Sequence, residues 1–510
     1  MPTTRAAIVV LVVLLPRFAA LYAINLFDDA FITFRHAENL AAGEGLVFNP
    51  GDRVLGTTTP LFALMLAAAD WVGIPVPTAA LALGLAADAV IGLLVYRVLA
   101  KELTPVDPEL TGVAQGRPGV AQGIGPARSV NLAALGAVTV FAVDPQILRV
   151  SAGGMESSLF VAGSLVIMHL LLEGRAAAAL SLAAAVCFIR PEGMLLLGAA
   201  GFALLRSPLS WNRKAQSAAL AGLILGGPAL LIWRYYGSLL PHSVVAKATM
   251  HSDLGDVLTI FFWPSASPLQ GVLTIAAPIA LALLWRRSRF IRAFAIWSAV
   301  YAAAYAWRQP PMWTWYGQPI YVLKAVLAGA AVGFLIERHA PRLVPGGVMR
   351  YAGALAVSAG AALLLVAIGG TSHVRESVYD PMQRWCESRV TSSDRIVAAD
   401  IGAVGYYCDA YVIDLSGLVW PDRYGRHQFH SPREIVEIEE PEFILADVTR
   451  HWTWLFDPDA PVRRQYRPAV RFSRRGLTDL DVPISELSPD WQQDYIVFER
   501  TDLVGRQAPR

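Results

Sequence analysis

The chain of 510 residues has a net charge of +2, is 55% hydrophobic and only 16% charged, and has a mean hydropathy of +0.46. This composition excludes a soluble globular domain of ordinary make-up and indicates a membrane protein. The first 370 residues have a net charge of +8, whereas the last 140 hold 17 Arg and 23 acidic residues and have a net charge of −6. Because the basic excess lies in the apolar part, we expect no nucleic-acid partner.

Eleven apolar segments are candidates for membrane spans, since about 20 apolar residues cross a hydrocarbon core. They lie at residues 6–26, 78–100, 129–143, 155–172, 175–189, 192–205, 216–234, 268–285, 291–307, 318–336 and 350–370. We therefore predict a multi-pass α-helical membrane protein with about 11 transmembrane helices. The apolar segment 57–73 is shorter, and counting it as a span would invert every later loop, so we predict that it is a helix at the outer interface.

The basic residues between these segments give the orientation in the bilayer. With the N-terminus in the cytoplasm, the inner loops carry sixteen Lys and Arg and the outer loops carry seven. The positive-inside rule thus predicts a cytoplasmic N-terminus and an extracytoplasmic C-terminal region in the cell (inner) membrane. The first segment contains Pro16 and Arg17 and has no convincing small-x-small cleavage site, so we interpret it as a retained anchor.

Two domains follow from this arrangement. Residues 1–370 form a predicted transmembrane domain with a long outer loop at 27–77, and residues 371–510 form a predicted soluble extracytoplasmic α/β domain. The cytoplasmic stretch Gly112–Gly123, which contains GVAQG twice, is predicted to be a flexible linker.

The first outer loop begins with two acidic residues, Asp28 and Asp29. They precede the segment Ala30–Ala42, whose apolar residues have the spacing of an amphipathic helix lying along the membrane. The pair could simply cap this helix and favour its dipole. One carboxylate suffices for capping, however, and two adjacent carboxylates also suit a general base with a companion that tunes its pKa.

The other outer turns hold further polar and aromatic residues on the same predicted side of the membrane. Each has a simpler explanation: an interfacial aromatic belt, a local Arg–Glu ion pair or a solvated His. Their convergence on one side indicates a site built from several loops. The candidates for lining this site are Arg35, Glu156, Arg190, Glu192, His242, Lys247, Trp315 and Tyr316.

These residue types suit group transfer from an anionic carrier. A carboxylate can take a proton from an acceptor hydroxyl, while Arg, Lys and His stabilise the charge that develops on a departing phosphate. The sequence contains no Walker loop, HExxH, GxSxG or Cys/His cluster, so ATP-driven transport, zinc hydrolysis and serine-hydrolase chemistry have no support. We predict no cofactor. Carboxylates in the first loop could hold a divalent metal ion, so a metal requirement is not excluded by the sequence.

Several stretches resemble a known family. The string FDDAFITFRHAENLAAGEGLVFNPGDRVLGTTTPL, followed by GGMESSLF, RPEG, LPHSVVAKA and ADIGAVGYYCDAYVIDLSGL, is similar to GT-C glycosyltransferases, including the mycobacterial terminal arabinofuranosyltransferase family. The resemblance implies a polyprenyl-phosphate sugar donor, an extracytoplasmic glycan or lipid acceptor, and an outer C-terminal domain that helps to bind the acceptor. It also implies Asp28 as general base with Asp29 as companion, and inversion at the anomeric carbon. Lys247 and His242 are then expected nearest to the donor phosphate.

The last 140 residues have the pattern of a small α/β domain. We predict strands at 395–400, 410–415, 443–447 and 494–499, a turn or short helix at 401–407 and a helix at 431–440. Cys386 and Cys408 both fall in this extracytoplasmic part, where a disulfide can form, and are candidates for pairing; Cys187 lies in a predicted span and is interpreted as a packing residue.

Two functions from other classes remain open on the sequence. Arg17, Asp88 and Lys324 lie within predicted spans, and Asp88 with Lys324 could form an ion path, as in a transporter or flippase of lipid-linked glycans. Burial against neighbouring helices also accounts for these charges. A non-catalytic assembly partner would tolerate loss of the acidic pair. Alternating access often involves internal repeats, and none is visible.

Overall fold

The computed structural model describes most of the chain. The described residues are 3–103, 131–248, 250–264, 267–339, 347–371, 378–423, 425–447, 452–457, 459–473, 478–480 and 494–503. The predicted linker Gly112–Gly123 lies outside them.

The part up to residue 371 consists of helices in the described residues. They are α1 (Thr3–Ala23), α2 (Asp28–Ala41), α3 (Pro60–Trp71), α4 (Val76–Glu102), α5 (Leu132–Val143), α6 (Pro145–Ala152), α7 (Ser157–Leu172), α8 (Ala176–Val186), α9 (Gly193–Arg206), α10 (Trp211–Tyr236), α11 (His242–Ala248), α12 (Leu254–Phe262), α13 (Pro268–Leu284), α14 (Arg289–Arg308), α15 (Gln318–His339) and α16 (Gly347–Thr371). A short 3-10 helix, Thr314–Gly317, precedes α15.

Each of the eleven predicted spans coincides with a helix. Six helical segments are long and apolar enough to cross a membrane, and α5 with α6 makes a seventh if this pair, bent by 59°, is one span. The other four, α7, α8, α9 and α13, are shorter apolar helices. The chain is thus a multi-pass helical protein, and the number of spans stays a prediction.

Helices α5 and α15 make the most extensive helix contact in the described chain. Their backbones meet at glycines: a Cβ on Gly136 would collide with the carbonyl of Gly329, and a Cβ on Gly333 would collide with that of Leu132. Small residues at helix crossings allow this close approach, which increases van der Waals contact where lipid leaves no hydrophobic driving force.

The charges within the spans are hydrogen-bonded to protein groups. Arg17 donates to Asp88 at 2.9 Å, with both side chains almost fully buried, and to the carbonyl of Ala142 at 2.6 Å, near the end of α5. Lys324 donates to the carbonyl of Phe261 and the hydroxyl of Thr274, each at 3.0 Å. Asp88 and Lys324 form no ion pair with each other in the described chain, so the geometry gives no support to an ion path between them.

The C-terminal part, which we call the sheet domain, is a five-stranded mixed sheet with small helices. Its elements are α17 (Tyr379–Arg389), β1 (Arg395–Ala398), α18 (Gly402–Tyr407), β2 (Tyr411–Asp414), α19 (Pro432–Glu439), β3 (Phe443–Ala446), β4 (Tyr466–Ser473) and β5 (Asp494–Arg500). The order is β2-β1-β3-β5-β4, with β1 parallel to β2 and β3 and with β5 antiparallel to β3 and β4. All the predicted elements are present, whereas β4 and α17 were missed.

The C-terminal part packs directly on the first outer loop. A hydrophobic cluster unites Phe31 and Phe34 of α2 with Val404 and Val412 of the sheet domain. Asn49, in the loop after α2, exchanges two hydrogen bonds with the backbone of Val412, at 2.9 and 3.0 Å. Cys386 of α17 and Cys408 after α18 form a disulfide, with 4.9 Å between their Cα atoms.

The glycine contact between α5 and α15 gives a stability prediction. We expect Gly333→Val to lower the thermal unfolding temperature in detergent, because overpacking a tight contact costs about 1–3 kcal/mol. The matched control is Gly353→Val in α16, where an added Cβ meets nothing within 4 Å. An equal unfolding temperature for the two variants would contradict this contact.

Candidate active site

Helix α2 presents two different faces. It begins directly after the extended residue Phe27, and acidic residues in its first turn favour the helix dipole. Phe31 and Phe34 are buried against the sheet domain. Asp29, Ile32 and Thr33 lie on another face and border a cavity. The apolar face of this amphipathic helix therefore packs on the sheet domain, and another face borders the cavity.

This cavity, which we call the main cavity, has a volume of about 350 Å³. Its walls come from α2, the loop before α3, the N-terminal ends of α7 and α9, α11, the end of α14 and the 3-10 helix before α15. Seven of the ten predicted site residues line it. They are Asp29, Glu156, Arg190, Glu192, Lys247, Trp315 and Tyr316.

Asp29 is the unpartnered carboxylate of this cavity. It accepts no hydrogen bond from the described residues, and its side chain is only partly buried. Burial raises the pKa of Asp29 above its ordinary value, and the positive charge of Lys247 opposes part of this shift. A carboxylate with a raised pKa and no hydrogen-bond partner is suited to accept a proton.

Lys247 supplies a positive charge in the same cavity. Its ammonium group is 3.4 Å from the hydroxyl of Tyr316 and lies 4.8 Å from the ring centre of Trp313. Burial acts to lower the pKa of Lys247, but Tyr316 and Asp29 outweigh burial and raise it overall. Lys247 forms no ion pair with a carboxylate of the described chain, so its charge is directed at the cavity.

Arg190, by contrast, is already neutralised. Its guanidinium donates to Glu156 at 3.0 Å and to Glu192 at 2.8 Å, and it lies over the Tyr316 ring at 4.9 Å. Glu192 also accepts a hydrogen bond from the hydroxyl of Tyr305. The predicted Arg–Glu ion pair is therefore present, and it forms part of the cavity wall.

Three predicted site residues do not line the main cavity. Asp28 turns its carboxylate toward the sheet domain and is only 3% exposed. Its two oxygens accept the backbone N–H groups of Gly402 and Ala403, each at 2.8 Å. Asp28 thus caps the first turn of α18 rather than its own helix. Burial, opposed by the N–H of Ala403, raises the pKa of Asp28 to about 7, and the neighbouring charge of Asp29 adds to this rise.

Arg35 and His242 also lie elsewhere. The Arg35 guanidinium donates to the carbonyls of Phe48, Cys408 and Ala410 at 2.6, 3.1 and 2.8 Å, so it connects α2 to the sheet domain. The backbone N–H of His242 donates to the carbonyl of Leu55 at 2.7 Å and places α11 against the first loop. The geometry supports positioning roles for both residues, in place of the predicted contact with substrate.

The cavity also contains residues that were not among the ten predicted site residues. Arg308, at the end of α14, donates to the carbonyl of Ala248 at 3.3 Å and adds a second cation near Lys247. Thr57, Thr58 and Thr59 supply hydroxyls from the loop before α3. Arg308 follows a span on the predicted outer side, which could have indicated its role, whereas Thr residues in a loop carry no such signal.

No metal centre is formed by the described residues: no group of three or more His, Cys, Asp or Glu side chains among them has suitable geometry.

The role of Asp28 predicts different effects for the two acidic residues. In Asp28→Asn a single acceptor oxygen remains, so one buried N–H of α18 loses its partner at a cost of about 1–3 kcal/mol. We expect a lower thermal unfolding temperature for Asp28→Asn and an unchanged or slightly higher one for Asp29→Asn, which loses no hydrogen bond. Equal destabilisation of both variants would exclude this division of roles.

The sequence of the chain is similar to a family model and to a known enzyme. Residues 370–498 match a family model described as "Domain of unknown function (DUF8728)". Over 281 residues the chain is 27% identical to the terminal beta-(1->2)-arabinofuranosyltransferase of Mycobacterium tuberculosis (strain ATCC 25618 / H37Rv), covering 52% of this chain. The match spans 42% of the length of that relative.

Two solved structures share the whole architecture. They are crystal structures of ArnT from Cupriavidus metallidurans, one bound to undecaprenyl phosphate and one in the apo state; both have a TM-score of 0.60 and 12% sequence identity. The superpositions cover 99% of this chain and 100% or 99% of ArnT. The chain therefore has an ArnT-like fold, and the predicted resemblance to the terminal arabinofuranosyltransferase is confirmed by the sequence match.

Proposed function

We propose that the chain is a membrane glycosyltransferase of the GT-C type that moves a sugar from a polyprenyl-phosphate donor to an extracytoplasmic glycan or lipid acceptor. One observation carries this proposal: Asp29 and Lys247 line the same cavity. Asp29 is a carboxylate that accepts no hydrogen bond from the described residues, and Lys247 supplies a positive charge. Support also comes from the printed activity of the mycobacterial relative and from the ArnT structure with undecaprenyl phosphate. The relative's name favours arabinofuranose as the sugar.

Asp29 is the proposed general base, in place of Asp28. Its carboxylate takes the proton of an acceptor hydroxyl, and the hydroxyl oxygen attacks the anomeric carbon of the donor sugar. The bond between that carbon and the phosphate oxygen breaks, and the phosphate leaves with the electron pair. Because this is a single in-line displacement, the configuration at the anomeric carbon inverts. Asp28 remains hydrogen-bonded to α18 and positions Asp29 from the preceding residue.

Lys247 and Arg308 are the proposed phosphate-binding residues. Neither is paired with a carboxylate in the described chain, and both border the main cavity. They would stabilise the negative charge that grows on the leaving phosphate. Arg190 has two carboxylate partners already, so it contributes little positive charge to a phosphate. We propose that Glu156 and Glu192, the two partners of Arg190, bind the donor sugar, since carboxylates can accept hydrogen bonds from sugar hydroxyls.

The polyprenyl chain has an apolar surface available beside the phosphate site. Leu240, Val244 and Trp307 are large side chains with exposed fractions of 62%, 37% and 87%, and Val244 also borders the main cavity. Such apolar exposure is expected where a protein faces lipid. We therefore propose that the lipid tail leaves the cavity beside α11 and the end of α14. In the proposed topology this end is extracytoplasmic and the N-terminus is cytoplasmic.

The two acidic residues distinguish this mechanism. Asp29→Asn should lower kcat of sugar transfer by about 10²- to 10⁴-fold, because a general base contributes this much to a rate. The assay is transfer from synthetic polyprenyl-phosphate sugars, including the arabinofuranosyl donor, by the protein in detergent. Asp28→Asn should retain more activity than Asp29→Asn when both are measured below their unfolding temperatures. Full turnover by Asp29→Asn would refute the proposed base.

The charge next to Asp29 predicts a pH effect. A general base works only when deprotonated, so the rate should fall with decreasing pH at values above those of an ordinary aspartate, since the pKa of Asp29 is raised. Lys247 lowers that pKa, so Lys247→Met should move the acid limb of the kcat/KM profile to higher pH. Lys214→Met, at a partly buried lysine outside the cavity, is the control. A shift to lower pH would contradict the predicted coupling.

A further inference from the structure

A second cavity of about 360 Å³ lies on the opposite side of α2. It is enclosed by the outer end of α1, by α2, by the first turns of α4 and by α17 and α18 of the sheet domain. Its size falls within the range of about 300–1,000 Å³ that is typical of small-molecule pockets. The proposed mechanism uses no residue of this second cavity.

Aromatic rings form one wall of the second cavity. Phe31 packs against Tyr379 and Tyr407, with ring centres 5.2 and 5.3 Å apart. Both pairs are inclined, at 69° and 53°, so the rings do not stack on one another. Aromatic faces carry partial negative charge and attract polarised C–H groups. The C–H face of a sugar ring is a ligand surface of this kind.

The polar groups of the second cavity are hydrogen-bonding groups without positive charge. Asn25 supplies an amide, Tyr407 a hydroxyl and Asp380 a carboxylate. No described lining residue is Lys, Arg or His, so a phosphate or another anion is not favoured. An entirely apolar ligand would leave Asn25 and Asp380 without partners, which is costly when water is displaced. A neutral ligand with several hydroxyl groups can hydrogen-bond to these polar groups and place its C–H face on the aromatic wall.

Helix α2 separates this cavity from the main cavity. Asp29 and Phe31 are two positions apart on one helix and therefore point to opposite sides, Asp29 into the main cavity and Phe31 into the second. A ligand in the second cavity consequently sits beside the helix that holds the proposed base, yet does not touch Asp29. Only a ligand longer than one sugar unit could occupy both places.

We propose that the second cavity binds a saccharide unit of the acceptor chain, away from the unit that receives the new sugar. This inference rests on the proposed function for the identity of the acceptor, whereas the binding site itself is argued from its own residues. It assigns Asp380 and Asn25 to sugar hydroxyls and the ring of Tyr407, the partly exposed member of the aromatic wall, to the face of the sugar ring. The site would increase affinity for long acceptors and leave short acceptors unaffected.

The test uses the full-length protein with Asp29→Asn, so that no acceptor is consumed. Binding of synthetic arabinofuranosyl hexasaccharide, and of hexasaccharides from mannan and galactan, is measured in detergent by thermophoresis. We add Asp380→Asn, which removes a charge at an exposed position, and Leu81→Trp, which fills the cavity while leaving its polar groups in place. Glu437→Gln, at an exposed residue paired with Arg433, is the control.

We expect one of the hexasaccharides to bind, its Kd to rise about tenfold in Asp380→Asn and more in Leu81→Trp, and no change in Glu437→Gln. Equal binding by all variants, or no binding of any hexasaccharide, would overturn the proposal. With Asp29 restored, the two cavity variants should raise KM for the hexasaccharide and leave KM for a monosaccharide glycoside unchanged. A wild-type protein that binds the hexasaccharide at this cavity and transfers no sugar would refute the proposed function alone.

Discussion

The bond between Asp28 and the N-terminus of α18 is the interaction on which the rest of the site depends. Residues 374 positions apart meet there, and both carboxylate oxygens accept buried N–H groups. Hydrogen bonds to charged groups contribute about 1.5–3 kcal/mol each. Gly402 permits the approach, since any Cβ there would collide with Asp28. Arg35 adds two bonds from the same helix, to the carbonyls of Cys408 and Ala410. Helix α2 is thereby fixed to the sheet domain, and Asp29, the next residue, is held toward the main cavity.

The cations of the main cavity differ in their carboxylate partners. The positive charge of Arg190 is satisfied by Glu156 and Glu192, whereas those of Lys247 and Arg308 are not satisfied by carboxylates of the described chain. The cavity therefore contains a compensated Arg190 group, whose carboxylates can accept hydroxyl groups, and two other cations whose charge is available to an anion. Since groups held in place need no reorganisation during a reaction, this arrangement suits a transfer reaction in which charge moves from a base to a phosphate.

The sequence allowed prediction of the elements but not of their long-range contacts. The pattern of apolar residues locates the eleven helices that were predicted as spans, through long apolar runs, and the amphipathic α2, through its 3.6-residue repeat, because both signals are local. It also brings together most of the cavity residues through the outer-loop assignment. It cannot tell which of Asp28 and Asp29 faces the cavity, since that depends on Gly402 in a distant domain. The bonds of Arg35 to that domain were not predicted for the same reason. Strand β4 was missed because its sequence, YRPAVRFS, includes Pro468 and two arginines and lacks the usual alternation.

The central claim is that residue 29 touches the acceptor hydroxyl and residue 28 does not. The most direct measurement is a cryo-EM structure of Asp29→Asn with a polyprenyl-phosphate sugar and an acceptor oligosaccharide, both trapped before transfer. We predict that the acceptor hydroxyl lies within about 2.6–3.2 Å of the Asn side chain at position 29, the reach of a general base. Asp28 should still accept the N–H groups of Gly402 and Ala403. An acceptor hydroxyl bound to Asp28, with α18 released, would contradict the account.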